Sequence, residues 1–325
     1  MTSSDHHCQP TGPGVLEGEI TPRTVAAHDI SAFAGMVGDY SRIHLDDTFG
    51  VGLVHGGRIA HGLLSASWAL GGLSLAAPPT MGRRDPSAYL SSCEANYRRP
   101  VLAGTTLSCH WRTISRGSDE AGGGGARTSF EMRDAEGRTV TDGHVVLRRG
   151  QGVSDFRAPD PWPAAELVPD PAKTYYLEDF TPGAQAGQTE GRTLTEADVV
   201  AYGGFTGDSG GHHGDAEFAR GGLFGTRVVQ PMLVFNIGFA LWLRDWCRMR
   251  MPDGGLAGHL CDRWVFHRPF HIGDTLGCRH RTLAVRKSKS RPDTGVVTCG
   301  LQLLNQRDEV TMSAEVLMMF PAGGA

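Results

Sequence analysis

Eight residues recur in this chain at one fixed spacing. Asp39 and Asp208, His44 and His213, Asp46 and Asp215, and Arg58 and Arg227 stand 169 residues apart, as do Arg99 and Arg268, Pro100 and Pro269, Gly104 and Gly273, and Leu107 and Leu276. Upstream, Arg23-Thr24 and Asp29 repeat at Arg192-Thr193 and Asp198. Past residue 110 the register drifts by a residue or two, as loop insertions would cause, and the glycine-rich stretch Ala121 to Ala126 reads as one such loop. A chain that repeats polar, glycine and proline positions at one spacing folds as copies of one unit. At 325 residues there is room for two, each large enough to bury a core.

Between the copies, Arg148 to Lys173 contains Pro159, Pro161, Pro163, Pro169 and Pro171, the composition of an extended linker. The expected organisation is a polar tail over 1–14, a first unit over 15–150, a linker over 151–174 and a second unit over 175–325. Hydrophobic residues at 40% and charged residues at 20% place the chain among globular proteins. A net charge of −4 argues against a basic face for nucleic acid. No apolar run is long enough for a membrane span, and the first residues carry no apolar signal core, so a cytoplasmic location is expected. Seven cysteines without CxxC spacing read as reduced thiols.

Within one copy, Thr195 is a plausible N-cap for a helix beginning near Glu196, with His28 to Met36 its equivalent. A loop follows, ending at His44 or His213. Then come long apolar segments, Ile59 to Leu75 and Val228 to Trp246, which as helices would be buried all round. Gly71 and Gly72 are expected to weaken the end of the first. The remainder is rich in alternating or β-branched runs: Ser91 to Tyr97, Thr105 to Thr113, Thr128 to Met132 and Thr139 to Leu147, repeated at Arg263 to His267, Thr275 to Val285, Gly295 to Leu304 and Val310 to Phe320. One buried helix followed by strands predicts an α+β layout, an antiparallel sheet wrapped around that helix.

The order of short motifs is more specific. The first copy reads Gly38-Asp39-Tyr40-Ser41-Arg42-Ile43-His44-Leu45-Asp46, then Arg58-Ile59-Ala60-His61-Gly62. The second reads Gly207-Asp208-Ser209-Gly210-Gly211-His212-His213, then Arg227-Val228-Val229-Gln230-Pro231. Tyr97-Arg98-Arg99-Pro100 and Phe266-His267-Arg268-Pro269 also match. This pattern resembles the MaoC-like (R)-specific enoyl-thioester hydratases and dehydratases, and two copies in one chain resemble their double hot-dog branch. The resemblance implies two tandem hot-dog domains and a lyase without metal or separate cofactor, coenzyme A or acyl-carrier pantetheine being part of the substrate. It implies a pseudo-dimer within one chain, and it leaves open a homodimer and an acyl carrier protein as partner. By the same resemblance Asp39 and His44 activate water, with His44 the proton shuttle because its ordinary pKa lies near neutrality. Gly62, at the start of the buried helix, gives the backbone N–H that holds the thioester oxygen.

Asp208 and His213 keep the pair in the second copy, but Pro231 stands where Gly62 stands and has no N–H, and Gln230 replaces His61. One principal site in the first copy is therefore expected, with the second copy shaping the tunnel. Both copies lack the family's Asn-Pro, having Ser41-Arg42 and Gly210-Gly211 instead. That departure points to a specialised branched, dicarboxylic or carrier-bound acyl thioester, with Ser41, Arg42 and Arg58 as candidate substrate contacts. Two alternatives stay open: a hot-dog acyl thioesterase and a non-catalytic acyl-thioester-binding protein. Neither His6-His7-Cys8 nor His212-His213 has third and fourth ligands at a sensible spacing, so no metal is expected.

Overall fold

A computed structural model describes residues 8–12, 15–53, 55–76, 85–118, 124–152, 156–252 and 258–323. The first copy runs β1 (Cys8–Gly12), β2 (Val15–Thr24), α1 (Ala27–Val37), α2 (Arg42–Leu45), α3 (Asp47–Val51), α4 (Gly62–Ala76), β3 (Ala88–Tyr97), β4 (Thr106–Ser118), β5 (Gly124–Arg133) and β6 (Thr139–Arg149). The second runs β7 (Gly187–Gln188), β8 (Arg192–Thr193), α5 (Glu196–Thr206), α6 (Gly211–Gly214), α7 (Ala216–Arg220), α8 (Pro231–Trp246), β9 (Gly258–Phe266), β10 (Thr275–Lys287), β11 (Thr294–Leu304) and β12 (Val310–Pro321). The strands form one antiparallel sheet in the order β1-β2-β4-β5-β6-β3-β9-β12-β11-β10-β7, with β8 paired to β10. Each half of that sheet wraps a central helix, α4 or α8, giving the mixed α+β layout expected.

The central helices are buried because their sequences offer no polar stripe. Leu63, Leu64, Ala66, Trp68, Ala69, Leu70 and Leu73 of α4 all lie in the core, as do Leu233, Phe235, Ile237 and Trp242 of α8. Both start later than the apolar runs do. Ile59 bridges Leu102 and the Ala60 N–H bonds the Val101 carbonyl, as Val228 bridges His271 and the Val229 N–H bonds the Phe270 carbonyl. Residues 59–60 and 228–229 thus spend their backbone on a strand, and the helix opens at Gly62 or at Pro231, a residue suited to a first helical position. Gly71 and Gly72 do not end α4, which continues to Ala76. A Cβ on Gly71 would lie 2.1 Å from the Thr206 carbonyl oxygen, so the missing side chain is what lets α5 cross α4 there.

The two halves meet about a pseudo-twofold axis. Glu94 of β3 pairs in register with Arg263 of β9, and the side chains are joined at 3.0 Å. Asn236 of α8 donates to the Ser67 hydroxyl of α4 at 2.9 Å. Both pairs obey the 169-residue spacing, so equivalent positions of the two copies touch each other on the axis. The register drift past residue 110 is visible as well: Thr139 opens β6 and Val310 opens β12, two residues beyond that spacing.

Two expectations change. Cys8–Gly12 is not tail but an edge strand paired with β2, while 1–7 and 13–14 lie outside the described residues. In the glycine-rich stretch, Gly124 already opens β5, and residues 121–123 lie outside the description. The proline-rich segment is extended and fastened to the second copy. The Trp162 N–H donates to Gln302, the Gln302 amide returns a bond to the Asp160 carbonyl, and Arg279 donates to the Trp162 carbonyl. Arg281 lies over the Trp162 ring, and Gly300 leaves the space in which that ring sits. This cover explains why β11 is buried on both faces.

Candidate active site

The first copy builds its site on a helix end. Gly38 closes α1 in the left-handed region at φ 90°, its N–H returned to the Ala34 carbonyl, and so turns Asp39 inward. Ser41 then clamps the carboxylate: its N–H and its hydroxyl both donate to Asp39 Oδ1, at 3.1 and 2.6 Å. His44, on α2, donates Nδ1–H to the Ile59 carbonyl at 2.8 Å. A carbonyl only accepts, so this bond fixes the tautomer and leaves Nε2 as a free base. Nε2 stands 3.9 Å from Asp39 Oδ2, too far for a direct hydrogen bond and suitable for two groups gripping one small molecule.

His61 completes the cluster. It donates Nε2–H to the Asp39 backbone carbonyl at 3.1 Å, lies 3.8 Å from Oδ2, and stacks on His44 with ring centroids 3.7 Å apart. Asp39, His44 and His61 thereby bring one ligand-type atom each within 4.8 Å of one another. The His61 nitrogen nearest the carboxylate carries the proton it gives to the carbonyl, so it has no lone pair for a cation, and the trio reads as an acid–base cluster.

The charges follow from burial. Burial pushes the Asp39 carboxyl up, but His61, His44 and the two Ser41 bonds together outweigh it and hold the group below its ordinary value. Burial lowers the His44 imidazole, against the opposing pull of Asp39 and the Ile59 carbonyl. Burial and the neighbouring His44 push His61 down to about 3. At neutral pH the cluster is one carboxylate and two neutral imidazoles.

Gly62, the next residue, opens α4, where the first N–H groups have no partner within the helix. The Tyr97 ring lies against it: a Cβ on Gly62 would be 2.7 Å from that ring. Behind Tyr97 the second copy enters. The Tyr97 hydroxyl donates to Asp262 Oδ2 at 2.7 Å, His259 donates Nε2–H to Asp262 Oδ1 at 2.7 Å, and the Tyr97 and His259 rings are 4.4 Å apart. His259 also stacks on Phe239 of α8.

The second copy repeats the local build. Gly207 closes α5 at φ 90°, and His213 donates Nδ1–H to the Val228 carbonyl at 2.8 Å. Gln230 donates to the Asp208 backbone carbonyl at 3.0 Å, which is the task of His61 in the first copy. The substitution that looked like a loss in sequence keeps the positioning bond. What differs is the carboxyl and its surroundings. Burial lifts Asp208 above its ordinary value, against His213 and Ser74. Beside it is a cavity of about 110 Å³ whose apolar wall includes Leu70 and Leu73 of α4, Leu90 of β3, Leu147 of β6, and Phe224 and Phe266. Each dyad is thus walled by the other copy.

The structure brings Asp39, Ser41, His44 and Gly62 together. It does not bring Arg42 or Arg58 to them. Arg42 is bound to Asp46 and lies over the Phe49 ring, and Arg58 is bound to Asp47. Asp208 and His213 form a site of their own at the other end of the helix pair. His61 carried a sequence signal, the Ile-Ala-His-Gly string. Tyr97 carried one too, the Tyr-Arg-Arg-Pro string, but His259 and Asp262 carried none, because only the β3–β9 joint brings them near.

The model of the MaoC like domain matches residues 17–118 and 179–303. A curated protein of Methylorubrum extorquens named 3-hydroxybutyryl-CoA dehydratase is 34% identical over 86 residues, 26% of this chain and 51% of that one, so the match spans about half the length of that relative. A structure from Chloroflexus aurantiacus described as a MaoC domain protein dehydratase is similar over 94% of this chain and 95% of its own, with TM-score 0.72 and 16% identity. A Mycobacterium tuberculosis protein with a double hotdog fold is similar over 93% of this chain and 94% of its own, with TM-score 0.67 and 19% identity.

Proposed function

The chain belongs to the family of MaoC-like domains, and from that premise we propose that it is a hydro-lyase interconverting enoyl and (3R)-hydroxyacyl thioesters at the Asp39–His44–Gly62 site. One observation carries the reading: the bond from His44 Nδ1–H to the Ile59 carbonyl, which leaves Nε2 as a base opposite the Asp39 carboxylate. In hydration, Asp39 Oδ2 and His44 Nε2 hold a water. Its oxygen bonds to the β-carbon as its proton passes to Nε2, and that proton then goes to the α-carbon. The electron pair of the double bond rests meanwhile on the thioester oxygen, which the Gly62 N–H meets. Dehydration is the same path reversed. Ser41 and His61 hold Asp39 by its carboxylate and its carbonyl, and so act as positioning residues. The thiol carrier, coenzyme A or the pantetheine of an acyl carrier protein, belongs to the substrate.

Pro231 removes the matching N–H from the second dyad, so the first copy is assigned the turnover. The test is a pair of single changes assayed on crotonyl-CoA by chromatography. His44→Ala abolishes formation of (3R)-hydroxybutyryl-CoA, and His213→Ala does not. The opposite pattern would move the assignment to the second copy, and release of free thiol would make the protein a thioesterase.

A further inference from the structure

The two dyads share one local build, but their walls differ at positions related by the 169-residue spacing. In the cavity at the second dyad, Leu70, Leu90 and Phe266 are three of the lining residues. Their equivalents at the first dyad are Phe239, His259 and Tyr97, and His259 lies against the other two: it stacks on Phe239 with ring centroids 4.8 Å apart and lies 4.4 Å from Tyr97. Tyr97 in turn covers Gly62. His259 is near enough to His44 to act on it electrostatically. A hydrocarbon wall at one site is therefore a hydrogen-bonding wall at the other.

The chemistry of that wall is set by Asp262. It is buried and accepts from the Tyr97 hydroxyl and from His259 Nε2–H. With Nε2–H so committed to Asp262, Nδ1 is the ring nitrogen left to meet a ligand. Among the described residues no protein group donates to it, and the side chain keeps 17% of its surface exposed. A carboxylate on the acyl chain would add negative charge to a site that already holds Asp39 and Asp262. A hydroxyl would add none, and it can pair with Nδ1 as donor or as acceptor.

We infer that His259, lent by the second copy, is a specificity-determining residue of the first site, and that this site takes an acyl chain bearing a hydroxyl group distal to the reacting carbons. The inference deepens the hydro-lyase reading and rests on its choice of site. It also turns away from a dicarboxylic substrate.

Binding separates the two ideas. Calorimetry on the full chain would compare pentanoyl-CoA, 5-hydroxypentanoyl-CoA and glutaryl-CoA, none of which can be dehydrated or hydrated in place. The hydroxylated ligand is expected to bind about tenfold more tightly than the plain one, the scale of one well-made hydrogen bond. His259→Leu, which installs the residue found at the equivalent position, should bring the ratio to about one or below. His259→Gln, which keeps an acceptor, should recover part of the preference. Equal ratios in the wild type and His259→Leu, or tightest binding of glutaryl-CoA, would overturn the inference. Turnover of pent-2-enoyl-CoA and 5-hydroxypent-2-enoyl-CoA by the wild type reports separately on the hydro-lyase reading. A binding preference without turnover would sink that reading and leave the specificity assignment standing.

Discussion

His44 can serve as a base because its two ring nitrogens have different partners. The Ile59 carbonyl takes the Nδ1 proton, and Nε2 is left facing Asp39. Removing the ring in His44→Ala should lower kcat by about 10²–10⁴-fold, the usual worth of a positioned proton shuttle, measurable as initial rates on crotonyl-CoA. The pH dependence has a definite sign. His44 must be neutral to act, and burial sets its pKa below the ordinary 6.5. The acid limb of kcat/KM should therefore be centred below pH 6.5, and a limb centred above it would contradict the assigned base. Asp39, His44 and Gly62 were legible in sequence because they lie within short motifs of fixed order. The role of His61 was not, since its bond runs to a backbone carbonyl, and no residue type announces that. Tyr97 was visible only as part of a motif, and its link to His259 and Asp262 was hidden for a different reason: 162 residues separate Tyr97 from His259, and only the paired edges of β3 and β9 close that gap.

Among the elements, the central helices were plain from their all-round apolarity and the first begins at Gly62 as expected, whereas the apolar runs reach further upstream because residues 59–60 and 228–229 pair as strands before the helix begins. The glycines of α4 were read as helix weakeners from intrinsic propensity, but tertiary packing wins here. Gly71→Ala would place a methyl group into the Thr206 carbonyl. It should destabilise the fold by about 1–3 kcal/mol, as overpacking does, although alanine is the better helix former. A urea titration decides between the two signs. The linker teaches the same lesson. Its prolines predict an extended path, but nothing in its composition says that Trp162 and Gln302 tie it to the second copy's strands. Trp162→Ala should lower the unfolding free energy from a urea titration by about 0.5–3 kcal/mol if the segment is part of the folded unit, Trp162 being half-buried, and by little if it is only a tether.

At the scale of the molecule, two copies form one sheet, and the axis between them is asymmetric in chemistry. Glu94 meets Arg263 and Ser67 meets Asn236, pairs that a true homodimer of either half would replace by like against like. The sequence announced the duplication, whereas the joining of the halves at β3 and β9 had to be seen. Buried histidines also link the whole fold to pH. His61 is held down at about 3, His212 at about 4, and His44 below its ordinary value, all by burial first. In the unfolded chain these rings take protons near pH 6.5. Below that pH the unfolded state binds more protons, so stability present above 6.5 is lost as pH falls toward 4. The thermal midpoint should drop steadily across that window. A midpoint unchanged down to pH 4 would mean that the three rings are not buried neutral.

The central claim is that the first copy's Asp39–His44 pair adds water to an enoyl thioester, and absorbance at the enoyl-thioester band tests it most directly. With crotonyl-CoA, the intact protein should bleach the band and His44→Ala should do so at least about a hundredfold more slowly. Bleaching at equal rates by both proteins would contradict the account.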